Sequence, residues 1–284
     1  MANNKVYEIV NEKIMAALDA NVIPWKKPWK TGIPTNLVSK KPYRGANIFI
    51  LGIMPFTSPY WLTYNQAKQL GGEVKKGEKG TPVVFWKVWE KKNGEKFPVL
   101  RYYTVFNVEQ CDLPEGKIPK VEELDFSPVE KAEEIVAGYK NGPKINYEGN
   151  RACYIPGKDL VMIPPKEVFV NSEKVYSTLF HELGHSTGHK TRLNRKSLVD
   201  LTSFGSHTYS EEELVAEFTA SYLCAIAGID QPTQKNSVSY IAGWKQELSD
   251  PNNVKLIVQA AAKAQKAADH ILGVSFEKEK ENNA

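Results

Sequence analysis

The chain has 284 residues, 42% of them apolar, 25% charged and 11% aromatic, with a net charge of +4. That balance excludes a disordered chain, and 19 Gly with 17 Pro, without any period, exclude a fibre. No run approaches the ~20 apolar residues that span a bilayer, and the first residues lack the basic-then-apolar order of a secretory signal.

The length suits one large domain or two ordinary ones, and the charge distribution favours two. Residues 1–120 hold 19 Lys+Arg against 10 Asp+Glu, whereas residues 121–284 hold 18 against 23. Five of the six tryptophans, Trp25, Trp29, Trp61, Trp86 and Trp89, also lie in the front part. Cys111, Cys153 and Cys224 are odd in number, widely spaced and without a C-x-x-C. They exclude a disulfide framework or a zinc ribbon and suit free thiols in the cytoplasm.

In chain order, apolar residues at helical spacing predict a helix over Lys5–Ala20. Pro24-Trp25-Lys26-Lys27-Pro28-Trp29-Lys30 is too broken for a helix or a central strand. Thr63 and Gln66 form a capping-box pattern for a short helix over Thr63–Leu70, ended by Gly71-Gly72. The charged turn Lys75–Gly80 follows. Val83–Glu90 and Phe97–Phe106 read as strands joined by a hairpin at Asn93-Gly94.

An acidic, Pro-rich stretch without periodicity places a linker at 116–128. It separates a domain over 1–115 from one over 129–275, with a polar tail at 276–284. Helices are expected over Val129–Tyr139, about 172–187, 210–227, 235–248 and 252–271. Two short strands are expected around Pro156-Gly157. The fold class is α+β: a small β-rich domain followed by a mostly helical one.

The sharpest motif is His181-Glu182-Leu183-Gly184-His185. Ser172 is the expected N-cap, Gly188 stands where a helix C-cap would, and Val175, Leu179 and Leu183 mark an apolar face. On a helix, His181 and His185 lie one turn apart and can share one metal, with Glu182 angled to take a proton from water. Zinc suits such a donor set, and manganese or another divalent ion is the alternative.

A third ligand must come from elsewhere. His189 misses the metzincin register, whose third histidine would fall at Thr191. His207 remains open, and Glu213 at the start of the next helix is the leading candidate, with Glu217 as the alternative ligand. Glu217 shares the face of Glu213 and is expected to orient a ligand histidine. Ser210-x-x-Glu213 can also be a capping box, which would divert Glu213 to its own helix. Tyr209, His207, His189 and Tyr154 are open candidates for a second electrophile.

Trp25, Trp29, Trp86 and Trp89 stand among Lys26, Lys27, Lys30, Lys87, Lys91 and Lys92, a composition suited to single-stranded nucleic acid. On a strand, Trp86 and Val88 face one way while Phe85, Lys87 and Trp89 face the other. One face can be core and the other a binding platform.

Both halves resemble the ArdC-type antirestriction proteins of mobile elements. The front matches lie in Pro24-Trp25, Pro42-Tyr43-Arg44-Gly45-Ala46-Asn47, Trp61–Ala67, Leu70-Gly71-Gly72, Lys76–Thr81 and Tyr103–Gln110. The rear matches are Tyr154, Pro156, Asp159 and Pro164, then His181-Glu182-x-x-His185 through Gly188-His189, Arg192 and Arg195, then Glu212–Glu217. The resemblance implies a single-stranded-DNA-binding domain followed by a zincin-like metallopeptidase domain, in a protein that protects incoming DNA from host restriction. With the metal motif this gives two expectations: hydrolysis of a DNA-associated protein, or protection by coating single strands with the metal site only structural. The resemblance adds Arg44, Asn47, Lys76 and Lys79 to the candidate DNA contacts, and His189 to the residues expected near the metal ligands. No membrane partner is expected.

Overall fold

A computed structural model describes residues 4–26, 32–91, 94–119, 127–199, 207–229 and 238–274. Two compact units divide the chain: Met1–Asp125 with Pro232–Ala261, and Phe126–Gln231 with Ala262–Ala284. The chain thus passes between the units three times, first close to the expected boundary at 116–128, and residues 232–261 pack with the first unit.

The first unit opens with α1 (Asn4–Asp19), whose Val6, Val10, Ile14 and Leu18 form one buried stripe at helical spacing. A single 3-10 turn, Pro24–Lys26, follows. Then come β1 (Thr35–Asn36), α2 (Ala46–Gly52), β2 (Tyr60–Leu62), α3 (Tyr64–Gln69), β3 (Glu73–Val74), β4 (Thr81–Glu90), β5 (Lys96–Asn107) and β6 (Cys111–Asp112). Around α3 both halves of the capping box form, Thr63 accepting from Gln66 N–H and the Gln66 side chain accepting from Thr63 N–H.

Four strands pair in the order β1-β2-β5-β4, with β1 parallel to β2 and the other pairs antiparallel. A separate ladder joins β3 to β6. Tyr43, Leu51, Trp61, Val83 and Val105 fill one core cluster, and Leu37, Leu62, Ala67, Val108 and Cys111 another. The inner half of the β4–β5 hairpin is anchored in this core, while its outer half is solvent-exposed.

The second unit begins with α4 (Pro128–Gly138) and a three-stranded sheet of β7 (Lys144–Tyr147), β8 (Cys153–Ile155) and β9 (Leu160–Ile163). β9 is central, parallel to β7 and antiparallel to β8. Helices α5 (Ser172–Ser186), α6 (Lys196–Val199) and α7 (His207–Ala227) follow. The N-cap of α5 is Asn171, whose side chain accepts from Lys174 N–H at 2.8 Å, one residue before the expected Ser172.

Residues Val238–Ser249 form α8, which lies within the first unit, and Leu256–Leu272 form α9, inside which the last crossing falls. Among the described residues no helix is long and apolar enough to cross a membrane. Cys111, Cys153 and Cys224 are in no disulfide. The α+β class and the order of a β-containing part before a helical part agree with the expectation.

Candidate metal centre and candidate nucleic-acid interface

The metal centre rests on how closely two helices approach. Gly184, inside the H-E-x-x-H motif, faces α7: a Cβ there would lie 3.1 Å from Ala216 Cα and 3.2 Å from Thr219 Cβ. Leu183, its neighbour, is fully buried. The two variable positions of the motif are thus a core anchor and a close-approach point, which let α7 present its acidic start to the two histidines.

The Nε2 atoms of His181 and His185 are 3.1 Å apart. Glu213 brings its two oxygens to 3.6 Å from His181 Nε2 and 3.5 Å from His185 Nε2. A tetrahedral ion with bonds of about 2.0–2.1 Å needs donor atoms about 3.3–3.4 Å apart; the two imidazole nitrogens are near that spacing, each within reach of a different Glu213 oxygen, and one donor atom from each of the three residues lies within 4.8 Å of the other two. α7 is already helical at His207, so Ser210 lies within the helix and the expected capping box does not divert Glu213.

Tautomer and orientation are set from behind. Glu212 faces His185 Nδ1 at 3.2 Å, which favours a proton on Nδ1 and so leaves Nε2 as the nitrogen that can offer a lone pair to a metal once the ring is neutral. Glu212 is itself held by Arg195, whose Nε donates to Oε2 at 3.0 Å and Nη2 to Oε1 at 2.6 Å, and by the Ser197 hydroxyl at 2.7 Å. Arg195 Nη2 also donates to Gly184 O at 2.8 Å, tying the network to α5. Gly188 is not a left-handed cap but a clearance, because a Cβ there would meet Leu198 at 2.9 Å and Arg195 at 3.0 Å.

Burial alone would push the Glu212 carboxyl up, yet its bonds to His185 and Arg195 pull it down to about 2. Burial likewise disfavours charge on His185, but Glu212, Glu213 and Glu182 together raise its value above the ordinary one. Glu182 is buried and raised by that burial, against the pull of His185 and of the Tyr154 backbone N–H that bonds to it. Its carboxyl lines a cleft of ≈ 280 Å³ together with the three candidate ligands, Arg151 and Tyr154.

Glu212 is the carboxylate that orients His185, a residue the spacing did not single out, and Glu217 is half-buried one turn beyond Glu213. Spacing could not identify Glu212, because residues 212 and 213 sit on adjacent flanks of a helix and the offset between α5 and α7 decides which flank meets which histidine. His189 is not beside the ligands either; its Nδ1 meets the Thr191 hydroxyl at 2.8 Å, and it does not line the cleft.

Tyr154 donates its hydroxyl to Asp159 at 2.8 Å and accepts from Arg192 at 3.2 Å, so that hydroxyl is committed to structure. Arg192 pairs with Asp159 and donates to Ser186 O at 2.8 Å. The side chains of His207 and Tyr209 lie outside the described residues. Arg151, which belongs to no sequence motif, is an exposed cation of the cleft and acts on Glu182 through its charge.

The expected DNA contacts separate into groups. Trp25 is fully buried, edge-on to Trp244 at 5.9 Å, with its indole N–H on Tyr240 Oη at 3.2 Å. It is core and presents no ring to a base. Lys26 lies over the Tyr240 ring at 4.3 Å. Asn47 is a clamp, donating to Val84 O at 2.8 Å and accepting from Val84 N–H at 2.7 Å on the open edge of β4. Arg44 is half-buried, Lys76 and Lys79 stand on an exposed turn, and Trp86 is 44% exposed on β4. Lys27 and Trp29 lie outside the described residues.

Known proteins resemble both units. Residues 4–106 match a family described as the N-terminal domain of anti-restriction factor ArdC, and residues 130–263 match a zincin-like metallopeptidase. The chain is 36% identical to the DNA primase TraC of Escherichia coli over 298 residues, covering 94% of this chain but only 27% of that protein. It therefore spans about a quarter of that relative. It is 33% identical to the uncharacterised protein y4eC of Sinorhizobium fredii, covering 93% of this chain and 90% of y4eC.

Two crystal structures of the antirestriction protein ArdC from plasmid R388 superpose at 36% identity. The metal-free one has a TM-score of 0.73, covering 93% of this chain and 96% of ArdC. The Mn(II)-bound one has a TM-score of 0.76, with 94% and 97% covered. Likeness over nearly the full length of both y4eC and ArdC, together with the two family matches, places the chain in the ArdC antirestriction family.

Proposed function

We propose that this protein shields incoming DNA of a mobile element from restriction in the cytoplasm. Its first unit holds single-stranded DNA, and its second hydrolyses peptide bonds of a protein associated with that DNA. The observation that carries the hydrolytic part is the triangle of His181, His185 and Glu213 with Glu182 in the same cleft.

His181, His185 and Glu213 would hold one divalent cation, zinc in the first instance. Such an ion lowers the pKa of water and polarises a carbonyl. Glu182 then takes a proton from the attacking water and delivers it to the leaving amine, a role served by its position beside the ligands and by burial that raises its affinity for the proton. Glu212 keeps the His185 lone pair aimed and Arg195 keeps Glu212 ionised. Arg151, at the mouth, offers a cation to the substrate carbonyl or to a carboxylate nearby.

Glu182→Gln tests this. It should retain metal and DNA binding while hydrolysis of a fluorogenic unfolded-protein substrate falls by a factor of about 10²–10⁴. Undiminished hydrolysis would remove Glu182 from the chemistry. A second reading has an observation of its own, the exposed aromatic and cationic outer hairpin: coating single strands is the protective act, and the metal only stabilises the fold. Protection against restriction that survives Glu182→Gln in full favours it.

A further inference from the structure

We infer that single-stranded DNA lies along one face of the outer β4–β5 hairpin, the face of Phe85, Lys87, Trp89, Arg101 and Tyr103. This rests on the reading that the first unit binds single-stranded DNA, and it replaces Trp25 and Trp86 as the stacking residues.

Cross-strand register assigns the faces. Val83 pairs with Tyr103, Phe85 with Arg101, Lys87 with Val99 and Trp89 with Phe97, so these residues share one side of the pleat. Val84 pairs with Tyr102, Trp86 with Leu100, Val88 with Pro98 and Glu90 with Lys96 on the other. The first face starts in the core at Val83 and Val105, both fully buried, and continues into solvent. There Phe85 and Tyr103 meet edge-on at 5.5 Å, and the Arg101 guanidinium lies 5.8 Å from the Trp89 ring. Trp89 is 47% exposed and Tyr103 39%. Phe85 and Trp89 stand roughly 14 Å apart along the strand, room for more than one base.

Charge distinguishes the two faces. Neither Lys87 nor Arg101 is in an ion pair among the described residues, and Glu95 at the hairpin end is engaged by Lys91 at 2.8 Å. On the opposite face the one lysine among the described residues, Lys96, is met by Glu90 at 3.4 Å, so beside Trp86, Val88 and Tyr102 the described residues offer no cation outside an ion pair. Rings interleaved with unpaired cations suit bases and phosphates of a single strand; a duplex keeps its base faces stacked away from such rings.

Fluorescence anisotropy of the full chain with a labelled oligothymidylate, over a salt series, tests this. Trp89→Ala and Arg101→Ala should each weaken binding about tenfold, while Trp86→Ala stays within about twofold. Lys87→Ala combined with Arg101→Ala should flatten the slope of log affinity against log salt by about 1.4, two phosphate contacts' worth. Arg101→Lys should keep the slope and lose affinity.

A wild type that does not bind the oligonucleotide overturns the DNA reading itself. A wild type that binds, with Trp89→Ala and Arg101→Ala unaffected, overturns this face alone, as does a loss confined to Trp86→Ala. Light scattering in which Trp89→Ala splits a dimer without changing DNA affinity assigns the face to a second copy and also overturns it. Melting curves reveal any variant that has lost its fold; Lys87→Ala, at a solvent-facing strand position, then carries the test.

Discussion

Replacing Glu212 by glutamine removes one charge and almost no volume from behind the metal centre. Its Oε1 takes His185 Nδ1 and Arg195 Nη2, and its Oε2 takes Arg195 Nε and Ser197 Oγ. A glutamine can keep its oxygen toward His185 and turn its NH₂ toward Ser197, whose hydroxyl can reverse. The Arg195 Nε then faces a donor, and a buried guanidinium is left without a counter-ion. Breaking a buried pair from one side costs about 3–5 kcal/mol. The descent of the Glu212 carboxyl from its ordinary 4.5 to about 2 gives an independent gauge of roughly 3 kcal/mol.

A carboxylate with a depressed value contributes above its unfolded pKa, and the contribution drains away as pH falls through the folded one. Urea unfolding of the metal-free proteins should therefore show a gap of about 3 kcal/mol at neutral pH that closes between about pH 4.5 and 2. Metal affinity, measured against a competing chelator, should drop 10- to 100-fold, on the order of disturbing a carboxylate–histidine pair. A loss below about 1 kcal/mol at neutral pH, or a gap that persists in acid, would refute the account of Glu212 as a buried counter-ion.

Gly184→Val should cost about 1–3 kcal/mol and weaken metal binding, because the branched side chain must push α7 away from α5; calorimetry of loaded and metal-free protein checks both. Metal uptake should release protons and tighten as pH rises, since the carboxylates around His185 favour its protonated form and the ion requires the neutral one; titration calorimetry in buffers of different ionisation enthalpy counts them. By the same sign, protonated His185 stabilises the metal-free chain below the unfolded value near 6.5, and this is lost as pH rises through the raised folded value. Trp25→Ala should cost about 3–5 kcal/mol in denaturant unfolding while the fraction still folded keeps its DNA affinity.

Local signals were the readable ones. His181, Glu182 and His185 declare themselves because one helical turn brings them together, and Thr63 with Gln66, or the two strands around Gly94, work at similarly short range. What depended on two distant segments meeting was hidden. Trp25 looks like an exposed DNA ligand until Tyr240 and Trp244, more than two hundred residues later, cover it. That Glu212 meets His185 depends on an interhelical offset that no periodicity encodes. Strands β1, β3 and β6 are two residues each, too short to show an alternation.

The return of residues 232–261 to the first unit sets a schedule for synthesis. Trp25 leaves the ribosome early, but α8, which supplies Tyr240 and Trp244, follows only after the whole span of the second unit up to Gln231 has been made. At ordinary elongation rates of about 5–20 residues per second, the indole waits on the order of ten seconds or more for its cover. A gene fragment ending near residue 125 makes that wait permanent. Such a fragment would offer a sticky apolar surface where the native protein has a closed one, and its behaviour toward DNA would be that of an unfinished fold.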